Sequence, residues 1–131
     1  MAQMSFITEW LHDIASRTSL QLPRTVRVEG MRRQHVGPSL QFAKVEVLAE
    51  PSASFEVAFG PDLKWSDNTE LFLQAAVFGI LDVLLVSEAY PLRNVRITIV
   101  SYQDDPVDSS QMAFRHAGRE AGRRILAARA T

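Results

Sequence analysis

The sequence predicts an α+β fold in which helices cover one face of a four-stranded sheet. Four stretches alternate apolar and polar residues, as half-buried strands do. Three further stretches carry apolar residues at helical spacing, and the order along the chain is α-β-β-β-α-β-α. With 131 residues and no repeat or linker, residues 1–131 are interpreted as a single domain.

The first element is an amphipathic helix over residues 5–17. Its apolar positions include Phe6, Trp10 and Ile14, which share one helix face. Glu9 interrupts the apolar stretch and no basic segment precedes it, so a secretory signal is excluded. The expected location is therefore the cytoplasm.

Three short strands follow, at residues 25–29, 40–48 and 54–59. Either Gly30 or Gly37 is expected to end the first of them. Because the links are short, these strands predict an antiparallel meander.

A long apolar helix is predicted over residues 69–87. Asp67 and Glu70 at its start have the spacing of a capping box, and its apolar stretch over residues 71–86 contains one acid, Asp82. That acid and the limited length favour a buried helix over a membrane span. Because the helix is apolar nearly all round, we expect a second cover besides the sheet, either residues 5–17 or a partner subunit.

A fourth strand over residues 94–100 and a last helix over residues 109–128 complete the fold. Asp108 as N-cap and Gln111 three residues later form a second predicted capping box. Small residues on this helix should allow close packing on the sheet; they are Ala117, Gly118 and Ala121.

Composition excludes several functions. The net charge is −1, so a nucleic-acid binder would need a local basic patch. Such patches exist: residues 24–44 hold five basic residues and one acid, and residues 91–131 hold seven arginines and four acids. Residues 45–90, with eight acids and one lysine, are acidic. The absence of cysteine excludes disulfides and thiolate zinc sites.

The chain shows no constellation for catalysis. His12, His35 and His116 are isolated in sequence, and no glycine-rich phosphate loop occurs. The pair Asp104 and Asp105 precedes a proline and is interpreted as a solvated turn. The chain is therefore expected to be no enzyme and to bind no metal, cofactor or nucleotide.

Two basic features are candidates for binding. Residues 31–35 form a basic loop between the first two strands, able to contact phosphates and base edges or simply to be solvated. Arg115, Arg119 and Arg123 form a stripe on the last helix, interpreted as a solvated face with Glu120 as an ion-pair partner.

The segment from Tyr90 to Ala117 resembles domain IV of translation elongation factor G. The family motifs read approximately Y-P-x-x-x-V-x-V-T-L and V-D-S-S-x-M-A-F, and the matching residues are Tyr90, Pro91, Val107, Asp108, Ser109, Ser110, Met112, Ala113 and Phe114. A weaker likeness extends over residues 24–128 and leaves residues 1–20 as an extra helix. The resemblance implies a left-handed β-α-β fold, as in the small-subunit ribosomal protein numbered five. The motif residues are interpreted mainly as builders of that fold.

In that family the tip of domain IV enters the decoding site of the small ribosomal subunit. The resemblance thus implies a translation module that binds the ribosome or structured RNA through two tip loops: Arg32, Arg33, Gln34, His35, Gln103, Asp104 and Asp105. Both loops depart from the family. Asp105 stands where the family has a histidine, and residues 35–41 replace its glycine-rich loop. No GTPase domain is recognised in the chain, so GTP hydrolysis is not expected.

An alternative function is protein interaction or homodimerisation. The surface predicted for it comprises Trp10, Phe78, Leu81 and Leu85. On this hypothesis the fold persists and the ribosomal role has been lost.

Overall fold

The computed structural model describes residues 22–66, 68–86 and 92–129, which form an α+β fold. Its strands are β1 (Val26–Val36), β2 (Ser39–Pro51), β3 (Glu56–Phe59) and β4 (Val95–Gln103). Its helices are α1 (Thr69–Leu81), which continues as a π-helical turn over Asp82–Val86, and α2 (Gln111–Arg129). The helix predicted over residues 5–17, together with Tyr90 and Pro91, lies outside the described residues.

The four strands form one mixed sheet in the order β1-β2-β4-β3. The β1–β2 and β2–β4 pairs are antiparallel, whereas β3 and β4 are parallel. The predicted meander is therefore wrong, because β4 inserts between β2 and β3. The inward side of β4 is apolar and buried over most of its length, with Val95, Ile97 and Ile99 at most 1% exposed, which suits a central strand. The short, largely exposed β3 occupies the edge.

β1 continues through Gly30 and ends just before Gly37, the second of the two glycines predicted to end it. Its ladder with β2 runs without interruption from the pair Val26 and Ala49 to the pair Val36 and Ser39. Gly30 instead allows a close approach, since a Cβ there would lie 2.0 Å from the carbonyl oxygen of Ala117 in α2. The strand turns at Gly37, whose positive φ of 63° favours glycine.

Both helices pack on one face of the sheet. The inward side of β2, from Ala43 to Ala49, is 0% exposed at alternate positions. Phe114 and Ile125 of α2 meet this side and are also fully buried, and Phe114 stacks on Phe72 of α1 with ring centroids 4.7 Å apart. The core therefore lies between the sheet and the helix pair.

The two helices approach backbone to backbone. A Cβ at Gly118 would lie 2.0 Å from the carbonyl oxygen of Ala76, and one at Gly79 would lie 2.1 Å from that of Arg115. Of the three small residues predicted to face the sheet, Ala117 and Ala121 do so, against Gly30. Gly118 faces α1 instead, because the helices are too close there for any side chain.

The start of α1 differs from the predicted capping box. The N-cap is Asn68, which makes no hydrogen bond through its side chain, and Asp67 lies outside the described residues. The first turn is tied down by Thr69, whose buried hydroxyl accepts a hydrogen bond from the Ser66 amide at 2.9 Å and lies 3.0 Å from the Tyr102 hydroxyl. A side chain inside the helix thus holds the connection that a cap was expected to hold.

Within the described ranges one helical stretch, Thr69–Val86, is long and apolar enough by composition to cross a membrane. Of this window 39% is buried, and a core helix meets the same criterion. Leu73, Ala76 and Ile80 pack into the core, whereas Phe78 and Leu71 are 55% and 46% exposed. One side of α1 therefore remains uncovered by the described residues.

Candidate nucleic-acid interface at the tip of the sheet

Two connections meet at one end of the sheet, and we call this end the tip. The first is the turn of the β1–β2 hairpin at Gly37, and the second is the loop of residues 104–110 that follows β4. β4 ends at Gln103, opposite Lys44, so the hairpin projects beyond it. The loop then runs along the projecting hairpin, and the two segments expected to form a site become neighbours.

Hydrogen bonds fix the loop to β2. The amide of Phe42 donates to the carbonyl oxygen of Asp108 at 3.1 Å. The hydroxyl of Ser109 donates to the carbonyl oxygen of Phe42 at 2.7 Å. Both polar backbone groups of one β2 residue are thus used to position the loop. A rigid loop loses little conformational entropy when it binds a partner.

Asp105 organises the loop from within. Its Oδ1 accepts hydrogen bonds from the amides of Val107 at 2.9 Å and Asp108 at 3.0 Å. Its own amide donates to Ser109 Oγ at 2.8 Å. The Asp105 carboxylate therefore shapes the turn, in agreement with the turn expected from an acid before Pro106.

α2 begins two residues later than predicted, and its cap is Ser110. The Ser110 hydroxyl accepts a hydrogen bond from the amide of Ala113 at 3.1 Å, which is the usual N-cap contact. The predicted box with Asp108 as cap and Gln111 at the third position is therefore wrong. Asp108 is unavailable because its backbone is held by Asp105 on one side and by Phe42 on the other.

The predicted basic loop is in fact the last part of strand β1, and this changes which side chains can act together. Successive strand residues point to opposite faces of a sheet. Arg33 and His35 therefore share the open face, and Arg32 and Gln34 share the helix face. The ladder agrees, since Arg32 pairs with the buried Ala43.

On the open face Arg33 lies in an acidic setting. It lines a shallow depression between the hairpin and the loop, whose other residues are Leu40, Phe42, Gln103, Asp104, Asp105 and Asp108. Three carboxylates around one guanidinium make the local charge negative. The structure thus brings together four of the seven predicted tip residues, Arg33, Gln103, Asp104 and Asp105, in a setting that does not attract phosphate by charge alone.

On the helix face Arg32 lies near the stripe of α2. Its Nε donates a hydrogen bond to Oε1 of Gln41 at 3.3 Å. Desolvation lowers the pKa of His116, and the positive charges of Arg32, Arg119 and Arg123 lower it further. The His116 imidazole therefore lies in a positively charged setting.

Part of the arginine stripe is pinned by an acid of α1. Asp82 accepts hydrogen bonds from Arg115 Nε at 2.9 Å and from Arg119 Nε at 3.1 Å. The Arg115 bond, and then the Arg119 bond, hold the pKa of Asp82 below its usual range against desolvation. Sequence reasoning missed this pair. The signal was present, because one acid in an otherwise apolar helix needs a cation nearby.

The remainder of the stripe is a solvated face, as the spacing predicted. Glu120 accepts a hydrogen bond from Arg124 Nε at 3.3 Å and lies 3.6 Å from Arg123 Nη1. One carboxylate therefore serves two guanidiniums.

The motif residues shared with the elongation-factor domain divide into two groups. Ala113 and Phe114 are fully buried, and Ser109 and Ser110 are held by the hydrogen bonds given above. Val107 is 88% exposed and Met112 is 54% exposed. Packing and hydrogen bonds give the residues of the first group a structural role. Neither gives a structural role to Val107 or Met112.

Exposed apolar residues form a groove between α1 and α2. Leu71 and Phe78 line one wall, and Met112 and Arg115 line the other. Of the surface predicted for dimerisation, Phe78 is exposed, Leu81 and Leu85 are half-buried, and Trp10 lies outside the described residues.

Among residues 22–66, 68–86 and 92–129, no group of three or more His, Cys, Asp or Glu side chains is arranged so that it could hold a metal ion.

No family model matches the chain. A solved structure similar to it is that of the protein ttk003000868 from Thermus thermophilus, with a TM-score of 0.71 and 18% sequence identity. The likeness covers 81% of this chain and 16% of that one. The likeness is one of fold. The chain spans about one sixth of the length of that protein, and nothing about activity follows from it.

Proposed function

We propose that this chain is a non-enzymatic module, related to domain IV of elongation factor G, that binds the ribosome or structured RNA in the cytoplasm. The observation that carries the proposal is the tip, where the hydrogen bonds of Phe42 with Asp108 and Ser109 join two separate segments. Asp105 holds the turn of the loop from within. A rigid projection with polar side chains suits insertion into a folded RNA.

The topology supports this relationship. β3, α1 and β4 form a β-α-β unit with adjacent parallel strands, and α2 follows directly. The left-handed form of that unit, shared with the ribosomal protein numbered five, belongs to the proposal. So does the specific likeness to domain IV, which rests on the Val107 to Phe114 motif.

Free polar groups at the tip would make the contacts. Within the described residues, the side chains of Arg33 and His35 make no hydrogen bond or ion pair, and both are exposed. Gln103, also exposed, lines the same depression as Arg33 and carries an amide that donates and accepts. Such groups pair with base edges and ribose hydroxyls, for which net positive charge is not required.

Co-sedimentation with separated ribosomal subunits tests the proposal. The protein should pellet with the small subunit at about 0.05 M salt and much less at about 0.2 M. The double variant Arg33→Glu with His35→Glu should lose this binding. Arg96→Glu is the matched control, since Arg96 is an exposed strand arginine remote from the tip. Absence of pelleting at low salt, or equal loss in the control, would overturn the proposal.

A second candidate function is homodimerisation through the α1–α2 groove. Three large apolar side chains half-exposed in one groove, Leu71, Phe78 and Met112, are the observation that favours it. Sedimentation equilibrium should then show a dimer that Phe78→Asp converts to a monomer. A wild-type protein that is monomeric at all concentrations removes this candidate.

A further inference from the structure

The cations most able to meet a phosphate backbone lie beside the tip and not on its open face. They are Arg32 of β1 together with Arg119 and Arg123 of α2. With His116, whose imidazole lies among them, we call this group the flank. On α2 the three residues stand at i, i+3 and i+7 and share one side of the helix. Arg32 shares the helix face of β1 with Gly30, the point of closest approach to α2.

The close approach at Gly30 places a strand arginine next to the helix stripe. With Gly30 against Ala117 and Ala121, the strand residue two positions on lies level with the preceding turn of α2. The effect of Arg32 on the His116 pKa agrees with that placement. Two elements distant in sequence thereby contribute to one positive surface.

Charge pairing distinguishes the flank from the open face of the sheet. On the open face Arg27 pairs with Glu46, and Lys44 pairs with Glu29 at 3.4 Å. Arg33 faces the three acids of the tip. On the flank, Arg32 has a neutral amide as its hydrogen-bond partner, and Arg119 and Arg123 share their acids with other arginines.

β1 adds backbone donors to the same side. It is an edge strand, because β2 is its only neighbour among the described strands. Its second edge therefore leaves amides unpaired by the sheet over a strand of 11 residues. Both arginine side chains and backbone amides donate hydrogen bonds to phosphate oxygens in protein–nucleic acid complexes.

We propose that the flank, formed by Arg32, His116, Arg119 and Arg123, contacts the phosphate backbone of the RNA whose bases or loops meet the tip. This inference rests on the proposed function and deepens it. The tip then supplies shape and polar contacts, and the flank supplies the attraction between unlike charges.

Fluorescence anisotropy with a labelled RNA duplex of about 16 base pairs measures the flank directly. The variants Arg32→Gln and Arg123→Gln should each weaken binding by roughly threefold to tenfold at about 0.1 M salt, and each should reduce the slope of log K against log salt by about one. Arg96→Gln, on the opposite face of the sheet, is the control and should change neither quantity.

Nuclear magnetic resonance of the imidazole protons supplies a second measurement. The pKa of His116 in the free protein lies below its ordinary value, partly because of the three arginines. Bound phosphates offset those charges, so RNA should raise this pKa. Arg32→Gln should raise it without RNA, because Arg32 contributes to the lowering. Unfolding would raise this pKa too, so an unchanged circular dichroism spectrum must accompany the measurement.

The outcomes separate this inference from the proposed function. Binding that is lost with Arg33 and His35 variants but kept with flank variants would overturn the flank and retain the function. Binding to neither the duplex nor the small subunit would overturn both. A His116 pKa that RNA leaves unchanged, when the RNA is bound, would also contradict the flank.

Discussion

Two regions of the molecule are built on opposite principles. One is the junction where α1, α2 and β1 meet, and the other is the tip. At the junction small residues bring backbones together, as where a Cβ on Gly118 would lie 2.0 Å from Ala76. At the tip, polar side chains link backbone segments through hydrogen bonds, as where the Asp105 carboxylate accepts hydrogen bonds from two backbone amides. The junction therefore tolerates no added atom, whereas the tip depends on particular polar atoms. A substitution should act by steric overlap in one region and by lost hydrogen bonds in the other.

The largest effect is expected at Gly118. Gly118→Ala would improve helix propensity by about 1 kcal/mol, but its Cβ has no space beside the Ala76 carbonyl. Because the obstacle is backbone, the helices must separate, and we expect a net loss of at least about 2 kcal/mol in the free energy of unfolding. Urea denaturation followed by circular dichroism measures it.

Gly122→Ala is the matched control. There the nearest atom is the Cβ of Val83 at 2.9 Å, a side-chain atom, and the nearest backbone oxygen is 3.4 Å away. This variant should lose much less stability than Gly118→Ala. Equal effects at the two positions would mean that backbone contact does not define the junction.

The junction also shows how far sequence reasoning reaches. Alternation of apolar and polar residues predicted four strands and their approximate positions, because a half-buried strand imposes that period on its own sequence. The sequence left open whether Gly30 or Gly37 ends β1, because a glycine that ends a strand and one that lets a helix approach look alike in sequence. The difference lies in Ala117 and Ala121, some ninety positions away.

The order of the strands in the sheet likewise could not be predicted from local sequence patterns. The links of β3 fit a hairpin with β2 as well as a crossover, and the central place of β4 is shown only by its pairing with both β2 and β3. At the tip, the sequence predicted a turn at Asp105 but placed the cap at Asp108. Ser110 is the cap because Phe42 of β2, a distant residue, engages Asp108.

A middle-sized effect is expected at Asp105. Asp105→Ala removes the acceptor of the Val107 and Asp108 amides, and we expect a loss of about 1–2 kcal/mol. Asp104→Ala, at the exposed neighbour, should change stability by less than about 0.5 kcal/mol. Equal stability of the two variants would show that the loop is not held from within.

A smaller, pH-dependent effect is expected at Asp82. Its pKa is lowered in the folded state by Arg115 and Arg119, so its contribution is full above the unfolded pKa, near 4. It is lost as the pH falls through the lower folded pKa. Asp82→Asn should therefore reduce stability at pH 7 by at most about 1 kcal/mol, because the ion pairs are partly exposed.

Thermal unfolding of wild type and Asp82→Asn between pH 7 and pH 2 tests this sign. The difference between the two proteins should shrink below about pH 4. If the difference in stability between the two proteins stayed constant with pH, the ion pairs with Arg115 and Arg119 would not lower the pKa of Asp82 in the folded state.

The smallest effect on stability is expected at Arg123, and it matters most for function. Its side chain is 63% exposed, and its one acid, Glu120, also holds Arg124. Arg123→Gln should leave the thermal midpoint unchanged within error, since surface substitutions away from caps and cores are nearly neutral. If the same variant weakens RNA binding, misfolding cannot explain the weaker binding, because the unchanged thermal midpoint shows that the fold is intact. A lowered thermal midpoint would instead mean that Arg123 contributes to the stability of the fold. The separation of α2 into one side that packs and another that binds RNA would then be wrong.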